Sequence, residues 1–330
     1  MTATALDQPP VRERPSRGFG AVVAITALIA AVGALTTDVP TSISIGVVVV
    51  VVALLGLPHG AVDHLVEAAI TGHDPTARTN RLRFHVWYLG AMAGYGLVWL
   101  VAPTVALAGF LLVSIHHFGQ SDLAHLRLPG ASQLAVQWSR GLFLIGLPLV
   151  AHLAVVSPVI GRLGGGDPAS WSWLADRWAL WSAAIVVQHV VVGAVVARRC
   201  DDRAAVRRET VTVAVLGALF VSVDPLIGFA VYFGLWHSLA HLRVLAEVLG
   251  GGSSTDGRRT LPLRRFVALV APRAVLSALG LIGLVAAMYA TGRPDLVLPA
   301  VFVLVSVLTV PHLVVVERLW RHRTSPSRSR

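Results

Sequence analysis

Long apolar runs recur along almost the whole chain, separated by short polar segments. A run of about 20 such residues crosses the hydrocarbon core of a bilayer as a helix. The runs predict ten helices, over 20–36, 43–70, 84–102, 104–126, 136–158, 178–197, 209–223, 226–249, 266–290 and 295–317. Least distinct are the tight pair within 84–126 and the short 209–223 segment. SVDP (222–225) ends the latter, because proline disfavours helix in the residue before it. The expected fold class is all-α: a polytopic transmembrane helix bundle of about ten spans, forming one catalytic domain over 20–317. A disordered basic N-terminal tail (1–19) precedes it and a basic C-terminal tail (318–330) follows. The apolar run after the N-terminal tail lacks a small-residue cleavage site and reads as an uncleaved first span.

Charge orients the bundle. Arg12, Arg14 and Arg17 lie near the N-terminus, TTDVPTS (36–42) has no basic residue, and TGHDPTARTNRLR (71–83) has Arg78, Arg81 and Arg83. RRCDDRAAVRRE (198–209), GGGSSTDGRRTLPLRR (250–265) and the C-terminal tail are basic again, while SVDP and TGRPD (291–295) between them carry only Arg293. That alternation fits ten spans with both termini cytoplasmic, a multi-pass protein of the cell (inner or plasma) membrane. Composition agrees: 55% of residues are hydrophobic and 13% charged, against about 25% charged in soluble domains. The net charge of +10 resides in arginines between apolar runs, a topology signal that leaves no case for a nucleic-acid partner. Cys200 is the sole cysteine, which excludes a disulfide framework and a thiolate metal site. The chain has no lysine, which excludes a lysine Schiff base to an aldehyde.

Four polar stretches interrupt the apolar helices: GLPHGAVDH (56–64), SIHHFGQSD (114–122), WHSLAH (236–241) and PHLVVVE (311–317). They fall on the second, fourth, eighth and tenth helices, all running from outside to inside. His59, His117 and His237 then lie about 15–20 Å from the cytoplasmic helix ends, at a rise of about 1.5 Å per residue. A shared depth points to a shared site. His237 and His241, four apart, face the same way, and polar rings in a dry interior call for a compensating partner such as a metal ion. The intervening Ser238, Leu239 and Ala240 lack the glutamate of the peptidase motif H-E-x-x-H. His59 and one of His116 and His117 would complete a four-histidine shell, with Asp63 and Asp122 as carboxylates that orient the rings. His312 is open between ligand, supporting donor and packing residue. His64 lies about 140° around its helix from His59, so one of the two faces elsewhere. His152 and His189 read as helix-to-helix hydrogen bonds. Pro58 and Pro311 predict kinks, and Gly60 and Gly119 close backbone approach. Phe118, Tyr232, Phe233 and Trp236 either line an apolar pocket or pack. These residue types admit zinc, copper or ferrous iron, and the depth favours a lipid-soluble substrate together with dioxygen.

Together the four motifs resemble the Brp/Blh family of bacterial β-carotene 15,15′-dioxygenases, over 43–317. The resemblance implies oxidative cleavage of the central double bond of β-carotene by O2 at a membrane-buried non-haem iron, Fe(2+), giving two all-trans-retinal. It implies as ligands His59 in the PHG element, His117 directly before FG (with His116 as the alternative), and His237 and His241 in WHSxxH. The lipid bilayer and a downstream retinal-binding opsin are the partners it suggests, and the missing lysine suits a producer of free retinal. Two other readings compete. A di-iron membrane desaturase or hydroxylase needs about eight histidines in several boxes, and only one HxxxH is present. A histidine-lined membrane transporter needs polar groups on both sides of the midplane, whereas here they gather in the cytoplasmic half.

Overall fold

Every regular element is helical among the residues described by the computed structural model, namely 18–36, 39–123, 128, 130–164, 166–167, 172–198, 200, 202–250 and 260–324. Residues 1–17 of the expected N-terminal tail, and 325–330 of the C-terminal one, lie outside them. In chain order the helices are α1 (Phe19–Leu35), α2 (Thr41–Thr71), α3 (Arg78–Val101), α4 (Pro103–Asp122), α5 (Gly130–Ala151) and α6 (Leu153–Gly164). The short α7 (Ser172–Ala175), α8 (Trp178–Ala197), α9 (Arg203–Ser222), α10 (225–249), α11 (Leu263–Ala290) and α12 (Val297–Thr324) follow.

Six of these helical segments, α2, α3, α5, α8, α11 and the stretch Pro294–Arg323 containing α12, are long and apolar enough to cross a membrane. Leu100 on α3, Val187 on α8 and Leu276 on α11 are exposed, as suits surfaces that meet acyl chains. The other expected spans are present as helices that fall short in length or apolarity. Helix α1 has only 17 residues. Ser114, His116, His117, Gln120, Ser121 and Asp122 lower the apolarity of α4, and Arg203, Arg207, Arg208 and Glu209 that of α9.

Boundaries depart from the sequence pattern where a side chain decides them. Helix α9 starts at Arg203, ahead of the expected 209, because the Asp202 carboxylate accepts from the backbone N–H groups of Ala204 and Ala205. The expected helix 136–158 is divided at His152. Helix α12 runs on to Thr324, past the expected 317, and its arginines reach other helices: Arg318 pairs with Glu67 and Arg323 with Glu247.

Two features of the backbone place the site. Helices α2, α5 and α10 each contain a π-helical turn, at Val52–Gly56, Leu142–Gly146 and Tyr232–Ser238. Pro58 and Pro148 follow the first two; each lacks an N–H and crowds the carbonyl four residues earlier, and a widened turn relieves both defects. The second feature is close helix crossing at glycine. A Cβ on Gly56 would lie 2.6 Å from the Phe233 ring, and one on Gly234 2.9 Å from Val51, so α2 and α10 meet backbone to side chain beside His59 and His237. Helices α4 and α5 approach closer still: a Cβ on Gly119 would lie 1.9 Å from the Gln137 carbonyl oxygen, and one on Gly141 1.8 Å from that of Ile115. The close approach expected at Gly119 is therefore present, and it fixes the rotation of α4 next to His117.

Candidate metal centre

Five imidazoles from four helices meet at the centre of the bundle. His59 comes from α2 just past its π-helical turn, His117 from α4, His237 and His241 from α10, and His312 from α12; all are buried. Four form a closed cycle: ring centres are 5.4 Å apart for His59–His237, 5.1 Å for His237–His117, 5.4 Å for His117–His312 and 5.0 Å for His312–His59. His241 sits against this cycle, 5.4 Å from His59, 5.4 Å from His312 and 6.0 Å from His237. Imidazoles sharing one ion through bonds of about 2.1 Å have ring centres about 4.5–5.5 Å apart. Most of the observed spacings fall in that interval.

Hydrogen bonding separates the outer from the inner nitrogens. His312 Nδ1–H donates to the Asp63 carboxylate, 2.9 Å from Oδ2 and 3.1 Å from Oδ1, and the Tyr88 hydroxyl donates to the same carboxylate at 2.9 Å. His312 Nε2, His117 Nδ1, His237 Nε2 and His241 Nε2 are buried and lack a hydrogen-bond partner. Each such atom costs about 1–3 kcal/mol, so a group supplying a partner for several at once is strongly favoured there. The donors stop short of a closed shell: among the described residues, no group of three or more His, Cys, Asp or Glu is arranged to hold a metal ion as it stands. Ring spacing and unpartnered nitrogens fit an ion. An all-nitrogen set without thiolate suits a borderline divalent ion.

The cycle forms the polar end of a cavity of about 540 Å³, within the range of small-molecule sites. His59, His117, His237 and His312 line it, whereas His241 lies behind them. The remaining wall is mostly apolar, with Phe118, Tyr232 and Phe233 beside the histidines, and Asp63, His64 and Tyr88 also face it. Leu89 of α3 and Leu276 of α11 line the cavity while 58% and 73% exposed. The cavity thus reaches the outer surface of the bundle between those two helices, which are not packed along one another.

A sequence profile described as β-carotene 15,15′-dioxygenase matches residues 50–320. The chain belongs to that family. A probable β-carotene 15,15′-dioxygenase, Blh, of Halobacterium salinarum is 31% identical over 292 residues, which is 82% of this chain and 82% of that protein. A β-carotene 15,15′-dioxygenase of the uncultured marine bacterium 66A03 is 24% identical over 286 residues, covering 83% of this chain and 93% of its relative. No solved structure matches. The chain is accordingly an oxidoreductase, a β-carotene 15,15′-dioxygenase, and the desaturase and transporter readings are set aside.

Within this dioxygenase the structure sorts the residues that the motifs offered. His59, His117, His237 and His241 come together, and His312 joins them with Asp63 behind it. His116 does not: adjacent helical residues point about 100° apart, and its ring turns toward Trp138 and lies 3.8 Å from Glu317. His64 also faces away from the cluster, toward His85 and Phe84, as expected for one of the pair with His59. Asp122, expected as a carboxylate that orients the rings, sits 2.9 Å from the Arg140 guanidinium, which also pairs with Glu209. Gly60 makes only an ordinary contact with His312. Trp236 donates to Thr26 and stays outside the large cavity. Sequence reasoning passed over Tyr88 and Arg140. A signal existed for the second, as a lone arginine within the apolar run 134–151 is costly without a partner.

Proposed function

We propose that this dioxygenase cleaves β-carotene at the 15,15′ double bond with O2, giving two all-trans-retinal, at one ferrous iron buried in the cell membrane. The reaction balances with one oxygen atom of O2 in each aldehyde. The iron would be held by His59, His117, His237 and His241. The observation that carries this reading is the group of buried imidazole nitrogens without partners at the end of an apolar cavity. When bound, the iron supplies a redox-active centre that reacts with O2.

The chain's own residues do the rest. The apolar wall selects a hydrocarbon and excludes water. Phe118 and Phe233 hold a flat polyene against the histidine end. The exposed rim at Leu89 and Leu276 admits substrate sideways from the bilayer, where a carotenoid dissolves. With no lysine in the chain, the aldehyde product leaves free, available to a retinal-binding opsin. Expression in bacteria that accumulate β-carotene tests the proposal. Loss of the orange colour with retinal on the chromatogram is expected. Cells that stay orange while the protein is present in their membranes would refute it, and longer or shorter aldehydes would move the cleavage to another bond.

A further inference from the structure

We infer that the centre has a fifth nitrogen donor, His312, held in place by Asp63 and Tyr88, and that its one remaining open position faces the cavity. The inference rests on the proposal that the histidine cluster binds a metal ion.

A helix-to-helix hydrogen bond would explain half of what His312 does. Its Nδ1–H donates to Asp63, joining α12 to α2. It does not explain the other nitrogen. Nε2 is buried without a partner, on a ring 5.0 Å from His59, 5.4 Å from His117 and 5.4 Å from His241. An imidazole whose Nδ1 is tied to a carboxylate presents Nε2 as a lone-pair donor, and metal-bound histidines are typically anchored this way. Asp63 is itself buried and fixed by a second donor, the Tyr88 hydroxyl from α3. Three helices therefore cooperate to aim one lone pair into the cluster. No other ring there has a carboxylate on its outer nitrogen among the described contacts; His59 Nδ1 lies 3.4 Å from the Leu55 carbonyl.

The arrangement of the five also gives a direction. His59, His237, His117 and His312 form the cycle and line the cavity, and His241 closes it from the far side. Five donors would leave a six-coordinate ion one free position. Because four of the five rings line the cavity and His241 does not, that position would open onto the cavity.

The test compares purified wild type with His312→Ala, Asp63→Asn and Tyr88→Phe, using cobalt(II) absorption and iron affinity by chelator competition. Wild type should give the weak visible bands of a five- or six-coordinate ion. His312→Ala should intensify them as coordination falls and weaken iron binding by about 100-fold, and Asp63→Asn should weaken it by about 10-fold. Tyr88→Phe, which removes a single hydroxyl and keeps the fold, should loosen iron by less than Asp63→Asn. Added imidazole should restore the wild-type spectrum in His312→Gly, which a purely structural role would not allow. Wild-type spectra and affinity in both Asp63→Asn and Tyr88→Phe would overturn the inference while leaving the four-histidine centre standing. A wild type that binds neither cobalt nor iron would overturn that centre as well.

Discussion

Buried or half-buried histidines occur in two regions of this molecule, and they are handled in opposite ways. Between α5 and its neighbours they are finished hydrogen-bonding units. His189 Nδ1 lies 2.8 Å from the Ser139 hydroxyl, its ring stacks on Phe143 with centres 5.0 Å apart, and Gln188 donates to the same hydroxyl. His152 Nε2–H donates to the Phe220 carbonyl at 2.9 Å, joining the α5–α6 break to α9. Arg140 in the same region is buried, with the carboxylates of Asp122 and Glu209 beside it. Its charge has its partners inside the protein. In the cluster of α2, α4, α10 and α12, by contrast, four ring nitrogens are as deeply buried and have no partner. Burial alone therefore does not distinguish a structural histidine from a ligand. Asking where each nitrogen's hydrogen bond goes does, because an unmet buried group is costly unless something added to the protein meets it.

That contrast can be broken most decisively at His237 and His241. Replacing either by alanine should lower iron affinity beyond the roughly 100-fold that loss of a supporting partner costs, with helical circular dichroism unchanged. A wild-type iron-to-protein ratio in both variants would remove the distinction between the two regions. Next in size is Arg140→Met, which removes a buried charge from beside the half-buried carboxylates of Asp122 and Glu209 and should cost about 1.5–3 kcal/mol, read as a lowered Tm in detergent. The iron content of its folded fraction should stay at the wild-type level, and a parallel loss of iron would show that the arginine region and the centre are one unit. The smallest effect belongs to His189→Leu, which gives up one neutral hydrogen bond and should cost about 1 kcal/mol. Its iron affinity should not change; a tenfold drop would place His189 among the groups that support the metal.

Much of the fold was legible from the apolar runs, and for a definite reason. A segment without charge in a low-dielectric setting must satisfy its own backbone, which leaves helix as the outcome. Hence α8, α10 and α11 lie close to the runs that predict them. The misplaced boundaries depend on single polar side chains, such as Asp202 capping α9 and His152 interrupting 136–158. The site was legible in part. The i,i+4 pair His237 and His241 shares a face in any helix, and the isolated His152 and His189 are hydrogen-bonded between helices as expected. The sequence left His312 open between ligand, supporting donor and packing residue, and it was mute on Tyr88, one ordinary aromatic among several in α3. Nor does anything local show that Asp122 of α4 faces Arg140 of α5.

By itself the sequence determined that the chain is a bundle of apolar helices with histidines at similar depth on four of them, and its motifs sufficed for the family. Which histidines turn inward was decided by tertiary structure. A helical repeat fixes the angles between residues on one rod but not the rotation of that rod against its neighbours. Here the rotation is set where Gly119 meets Gly141 and Gly56 meets Phe233, contacts between positions far apart in the chain. Those crossings turn His117 inward and His116 outward, and the packing of α12 on α2 and α3 sets Asp63 and Tyr88 behind His312.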